Sequence, residues 1–248
     1  MWTVQLILNM SKYFTSILFL LLSFSTFAQD DEGETSTEIK PVVDSFHQIR
    51  FGFDISKPIL NATASDRQAY EFELDWYHKK EAYFVLEGGW GSSRLDSSYL
   101  SYSSSNSFIR AGINKGLLTK LFPNDWDLAF VGLRYGVGFI QRNAATYTIY
   151  DNVFGSTTGM IPATHLTAHW IELTGGVRVE LFTGFFAGWN IRGRFMLNGK
   201  KFKELPPSYI AGYGRGDKNS IFDFNFYLNY ALRWKKKKIH IAPSKEEE

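Results

Sequence analysis

From Ile49 onward, apolar and polar residues alternate with a period of two. Ile49, Phe51, Phe53 and Ile55 alternate with Arg50, Gly52, Asp54 and Ser56, and Tyr70, Phe72, Leu74 and Trp76 alternate with Glu71, Glu73 and Asp75. A third run sets Ala82, Phe84, Leu86, Gly88 and Trp90 against Glu87, Gly89 and Gly91, and a fourth sets Ile109, Ala111 and Ile113 against Arg110, Gly112 and Asn114. The fifth carries Ala129 to Phe139 opposite Gly132, Arg134, Gly136 and Gly138; the sixth carries Ile171 to Leu181 opposite Glu172, Thr174, Gly176, Arg178 and Glu180. Ile191, Phe195 and Leu197 oppose Asn190, Arg192 and Arg194, and the closing run places Phe222, Phe224, Phe226, Leu228, Tyr230, Leu232 and Trp234 against Asp223, Asn225, Tyr227, Asn229 and Arg233. Such alternation predicts strands with two chemically different sides. Several runs reach the ~9–11 residues that a tilted membrane strand needs, beyond the ~5–6 of an ordinary globular strand.

The eight runs predict an all-β fold, an eight-stranded antiparallel up-and-down transmembrane β-barrel over residues 46–234. Long polar segments near 57–68, 92–103, 142–165 and 199–220 alternate with short ones near 78–81, 115–125 and 182–184. Outer-membrane barrels show this asymmetry, with short periplasmic turns and longer outside loops. In this topology Trp76, Trp126 and Trp234 fall at periplasmic strand ends and Trp90 and Trp170 at outer ends, leaving Trp189 further inside a strand. Tryptophan favours the membrane–water boundary, so the five at strand ends are expected to be interfacial.

The polar parity carries eight acids, Asp54, Glu71, Glu73, Asp75, Glu87, Glu172, Glu180 and Asp223. It also carries seven arginines, Arg50, Arg110, Arg134, Arg178, Arg192, Arg194 and Arg233, and no lysine. Near balance with arginine alone predicts an interior ion-pair network, because a planar guanidinium can hold several carboxylates at once. A barrel of this size is only wide enough for side chains to fill, so the expected interior is plugged rather than open. An ion path is the functional alternative to a static core that offsets its own desolvation. Gly132, Gly136, Gly138 and Gly176 on the same parity are expected to relieve crowding.

Composition narrows the class. Aromatic residues make up 17% of the 248 residues, while mean hydropathy is only -0.19. That combination suits a barrel and excludes a bundle of membrane helices. A net charge of +2 indicates no bulk attraction to nucleic acid. The absence of cysteine excludes disulfides, thiolate metal sites and a lipidated N-terminal cysteine. Lys12, the apolar run Ile17 to Leu22 and the small residues Thr26 and Ala28 match a signal peptide over residues 1–28, with Met10 as an alternative start. Residues 29–45 form an acidic, aperiodic lead, and residues 235–248 a charged periplasmic tail opening on four lysines.

No catalytic, cofactor-binding or metal-binding set is expected. His165 and His169 flank the sixth run, with Ser156 earlier in the same loop. A serine and a histidine within hydrogen-bond reach would permit hydrolysis at the rim. Tyr99, Tyr102, Tyr147, Tyr150, Tyr209 and Tyr213 fall in the proposed outer loops, suited either to recognition or to folding over the barrel mouth. Partners expected are outer-membrane lipid and lipopolysaccharide, the barrel-assembly machinery and an unknown extracellular ligand, with no nucleic acid.

The signal ending Phe27-Ala28-Gln29, the aromatic strands and the closing run Phe222 to Trp234 resemble small outer-membrane barrels of Gram-negative bacteria. More narrowly, Ile49 to Trp234 resembles an uncharacterised Bacteroidota outer-membrane β-barrel family, the domain of unknown function DUF6048. The resemblance implies a fold and a location and brings no activity. The lysines after Trp234 depart from a strictly C-terminal aromatic assembly signal. The expected role is non-enzymatic, being structural, adhesive or narrow transport. The alternatives are a rim hydrolase using His165, His169 and a loop serine, and a soluble lipocalin-like barrel with aromatics inward and charges outward.

Overall fold

Antiparallel pairing joins the alternating segments into a closed sheet. The computed structural model describes residues 46–63, 66–78, 81–118, 125–151, 153, 155–202 and 205–235. The signal segment 1–28, the acidic lead 29–45 and the tail beyond residue 235 lie outside the described residues. The elements are β1 (Phe46–Asp54), α1 (Ser56–Thr63), β2 (Arg67–Tyr77), β3 (Ala82–Asp96), β4 (Leu100–Gly116), β5 (Leu128–Arg142), β6 (Ala145–Asp151), β7 (Gly155–Ile161), β8 (Thr164–Phe182), β9 (Phe185–Met196) and β10 (Ser220–Lys235). Eight of them close an up-and-down ring, β1–β2–β3–β4–β5–β8–β9–β10, with β10 returning to β1. Closure removes the exposed edges of the ring.

Parity then decides what each side chain meets. The register sets Arg50 opposite Asp75, Glu87 opposite Arg110, Arg134 opposite Glu172 and Glu172 opposite Arg194. These cross-strand neighbours have opposite charge and all point into the lumen, where they are buried. The other parity points out, and Phe51, Leu86, Leu133, Phe224 and Leu232 are among its exposed members. Aromatics outside and charges inside are the reverse of the lipocalin-like arrangement.

The two ends differ. The turn end carries a two-residue connection, Thr183–Gly184, between β8 and β9. The loop end carries more structure than the sequence reading expected. Segment 92–103 is largely strand, because Trp90–Asp96 pairs with Ser101–Ser107 and prolongs the β3–β4 wall. Segment 142–165 contains the β6–β7 hairpin, which leans on the start of β4 through Leu100↔Tyr147 and Ser101↔Thr146. Segment 57–68 holds most of α1, where Pro58 lies in the first turn and its missing N–H breaks no helical bond. Serine- and threonine-rich strands read as loops when only apolar alternation is followed.

Two of the five tryptophans expected at the interface are inside the barrel. Trp76, Trp90 and Trp234 face outward and are exposed, whereas Trp126 is 2% and Trp170 is 0% exposed. The reason is the period of two itself. Trp170 shares parity with Glu172, and Trp126 with Leu128 and Phe130, all of them inward. Gly136 makes room for Trp170, since a Cβ there would lie 2.2 Å from the indole ring. Gly136→Val should therefore overpack the lumen and destabilise the barrel by ~1–3 kcal/mol. Outward Gly175, whose added Cβ meets only the Phe130 carbonyl at 3.8 Å, should accept alanine within ~0.5 kcal/mol. Denaturant unfolding in detergent micelles, followed by tryptophan fluorescence, compares the two.

Candidate functional site

The lumen is filled in three layers. At its centre the guanidinium groups of Arg50, Arg110, Arg134, Arg178, Arg192 and Arg194 are fully buried. Glu87 is the hub. It accepts from Arg110 and from Arg192 Nη1 at 2.8 Å, and Arg134 Nε lies 2.8 Å away but off hydrogen-bonding geometry. Glu172 accepts from Arg192 at 2.8 Å and from Arg194 at 3.0 Å. Glu71 accepts from Arg110 and from the Tyr227 hydroxyl. Asp75 accepts from Arg50 Nε at 2.8 Å and from Arg178, which also reaches Glu73 at 2.6 Å. A fork with five donors bridges neighbouring carboxylates in this way; a lysine ammonium has no such plane.

Aromatic layers lie on either side of the charges. Towards the turn end, Tyr77, Tyr83, Trp126, Leu128, Phe130 and Phe186 form one buried cluster. The Arg50 guanidinium lies 4.5 Å from the Tyr83 ring centroid, and that of Arg178 lies 5.5 Å from Phe130. Towards the loop end, Phe108, Ile140, Trp170, Phe202, Ile210 and Tyr213 form the other. Arg110 lies 5.0 Å from the Phe108 centroid. The arginines thus meet both carboxylates and rings, and the cation–π contacts join the charge layer to both plugs. The sequence reading found the charges but not these plugs, although their members sit on the inward parity.

The upper part of the loop-end plug comes from the connection between β9 and β10. A tight turn pairs Ile210 with Gly214 and drops Ile210, Ala211 and Tyr213 into the mouth. Gly212 has φ +75 and no room for a side chain, because a Cβ would meet the Phe108 ring at 2.4 Å. The turn's carbonyls are held from below. Arg110 Nη1 donates to Gly212 O at 2.8 Å, and Arg194 Nη1 donates to Tyr213 O at 3.0 Å. Asn106 clasps the turn from the wall, accepting from the Ala211 amide at 2.6 Å and donating to Tyr209 O at 3.2 Å. Burial pushes the Tyr213 phenol up to about 12, so it stays a neutral donor, to Lys218 O at 2.7 Å.

The remaining site residues lie at the rims. Glu180 and Arg233 pair at 2.8 Å near the turn end, where the Arg233 guanidinium covers Trp126 at 4.9 Å. Asp223 sits near the loop end with its side chain 26% exposed and holds Arg194 at 2.9 Å. It also binds a lysine, against the expectation that arginine alone serves the interior. Lys57 is buried on α1, 2.9 Å from Asp223 and 3.8 Å from Asp54. Arg142 is also buried at the mouth, donating to Pro162 O at 3.0 Å. The strand alternation could not reveal Lys57, because it enters from a helix.

The groups considered for hydrolysis are spread out. His169 Nδ1 meets the Tyr135 hydroxyl at 2.8 Å, His165 is registered opposite Gln141, and Ser156 lies opposite Tyr150 near the hairpin tip. The loop tyrosines divide: Tyr102 and Tyr213 are buried in the mouth, while Tyr99 and Tyr150 are exposed. Among the described residues no cluster of histidines and carboxylates has the arrangement of a metal site.

Glu87→Ala would leave three buried guanidinium groups short of a carboxylate. Breaking a buried pair on one side costs ~3–5 kcal/mol, so this variant should lose most of its stability against denaturant in micelles. Exposed Arg215→Ala, which breaks a surface pair with Asp217, should change stability by less than ~1 kcal/mol in the same assay.

No curated protein matches the sequence. Among solved structures, the chain is similar to Neisserial surface protein A (NspA) at 8% identity, covering 77% of this chain and 96% of that one, with a TM-score of 0.37. It is also similar to the N-terminal β-barrel domain of Pseudomonas aeruginosa OprF at 9% identity, covering 77% and 98%, with a TM-score of 0.28. The closed ring described above stands on the chain's own strand pairing. The model of the family described as domain of unknown function (DUF6048) matches residues 10–237, and the chain belongs to that family.

Proposed function

We propose that this protein is an outer-membrane barrel that acts as a sealed anchor for surface recognition rather than as a conduit. The membrane assignment is supported by the outward parity. Large apolar side chains stand exposed on all eight barrel strands, among them Phe51, Phe72, Leu86, Ile113, Leu133, Leu173, Ile191 and Phe224. Soluble monomers rarely expose contiguous apolar patches beyond a few hundred Å². Hydrocarbon is the solvent that suits such a face, and a closed barrel satisfies its backbone internally. Export by the N-terminal signal segment and insertion by the barrel-assembly machinery complete this reading, with outer-membrane lipid and lipopolysaccharide as its surroundings.

The observation that carries the sealed state is the unbroken stack of aromatic plug, charge layer and aromatic plug. A conducting lumen needs mobile water, and here each guanidinium is committed to a carboxylate, a carbonyl or a ring. The recognition role rests on the β6–β7 hairpin, which leans on the start of β4 and leaves its outer side chains exposed. Ile149, Tyr150, Val153 and Met160 on it are 60–81% exposed, beside Tyr99 at 64%. Exposed aromatic and aliphatic side chains on a paired hairpin suit an adhesive contact.

Purified protein in planar bilayers should show no unitary conductance. Removing residues 205–216 takes away the turn of the loop-end plug and leaves the wall rings Phe108 and Trp170, the charge layer and the turn-end plug, so that variant should stay silent as well. Stable conductance steps from the full-length protein would contradict the sealed reading, and steps from the deletion alone would place the whole seal in the loop.

A further inference from the structure

Two cavities, one at the barrel mouth and one on the outward face, meet at one side chain, Phe222. The first, of about 210 Å³, lies at the loop end between α1, the plug turn and β10. Lys57, Arg67, Arg194 and Arg215 all line it, against the single carboxylate of Asp223. Arg194, only 2% exposed, keeps its Nη2 without a hydrogen-bond partner among the described residues. The second, of about 560 Å³, is a groove on the outward face, walled by Trp189, Ile191 and Phe195. Its floor is open at outward Gly175, where an added Cβ would meet only the Phe130 carbonyl at 3.8 Å. At Gly193 the Phe222 ring already takes the side chain's place, 3.2 Å from where a Cβ would be. Phe222 is 76% exposed and lines both cavities.

A basic chamber that opens onto an apolar groove has the chemistry of an anionic amphiphile. We infer that this juxtaposition is a binding site for an anionic membrane lipid whose headgroup ends in an unmasked phosphate monoester. The phosphate enters among Lys57, Arg67 and Arg194, and one acyl chain runs over Phe222 and along β9 past Ile191 to the open floor at Gly175. The orphaned Arg194 nitrogen supplies a donor that the protein itself leaves unused, and guanidinium and phosphate form charge-assisted bonds. The acyl chain covers apolar surface that no protein side chain fills. The site rests on the membrane reading, since only there is the groove bathed in lipid tails. It goes beyond it by assigning one lipid class to one place.

Native mass spectrometry of the detergent-solubilised protein tests this with phosphatidic acid, phosphatidylcholine and inorganic phosphate as probes. Phosphatidic acid should be retained about tenfold better than phosphatidylcholine. The double variant Arg67→Gln/Arg215→Gln, which changes two exposed side chains, should abolish that preference while the barrel stays folded. Phe222→Ala should weaken retention of phosphatidic acid and leave binding of inorganic phosphate unchanged. Equal retention of the two lipids, or a double variant that behaves like wild type, would overturn the site. Inorganic phosphate that displaces phosphatidic acid fully, with no effect of Phe222→Ala, would make the ligand a free anion and overturn the lipid assignment. Heat-modifiable gel mobility of the same samples separates the two levels. A protein that needs no detergent sinks the membrane reading, whereas a detergent-dependent barrel without lipid preference sinks only the site.

Discussion

A charge held inside a narrow closed barrel must meet an opposite charge there, and every other feature of this protein is arranged around that requirement. Moving a guanidinium or a carboxylate out of water costs several kcal/mol per ion even after relaxation. Glu87 alone answers three arginines, and Glu172 bridges Arg192 and Arg194. The strand register does much of the placing, because Arg50 and Asp75, or Glu87 and Arg110, are already opposite one another in the ladder. Ion pairing and backbone pairing therefore select the same alignment. A one-residue slip would turn the charges toward the outside and the aromatics toward the lumen.

The aromatic plugs follow from the same requirement. Charges in a channel open to water would be screened and mobile, whereas rings above and below shut water out and strengthen each pair. Arginine suits the boundary because its guanidinium can meet both carboxylates and rings. Tyr83, Phe130 and Phe108 are among those rings. At the loop end, wall residues such as Phe108 and Trp170 meet a piece that is not part of the wall. It is a turn whose carbonyls cap Arg110 and Arg194, so the charge layer holds its own lid.

The alternation exposed the ring and the charge layer, because a period of two is written directly in residues such as Phe222 to Trp234. It also held the answer for Trp126 and Trp170. Their parity with Leu128 and Glu172 points them inward, but their position at strand ends suggested the interface instead. Position along a strand and parity across it are separate variables, and parity determines which side of the wall a side chain meets. The polar strand ends of β3 and β4 were hidden, since Ser101 to Ser107 carries no apolar rhythm while pairing fully with Trp90 to Asp96. Lys57, the Ile210–Gly214 turn and the Phe222 cavities were beyond reach for another reason. They arise where a helix and a loop fold back on the barrel, and such contacts leave no periodic trace.

The central claim is the direction each parity faces, and lipids brominated along their tails test it most directly. Bromine quenches tryptophan fluorescence on contact, so variants that keep a single tryptophan report one position each. Trp189, stacked on Phe224 on the outward face, and Trp170, buried within the loop-end plug, sit on opposite parities. The account predicts strong quenching for the variant retaining Trp189 and none for that retaining Trp170. Quenching of Trp170 with Trp189 untouched would mean that the rings line the lumen and the charges face outward.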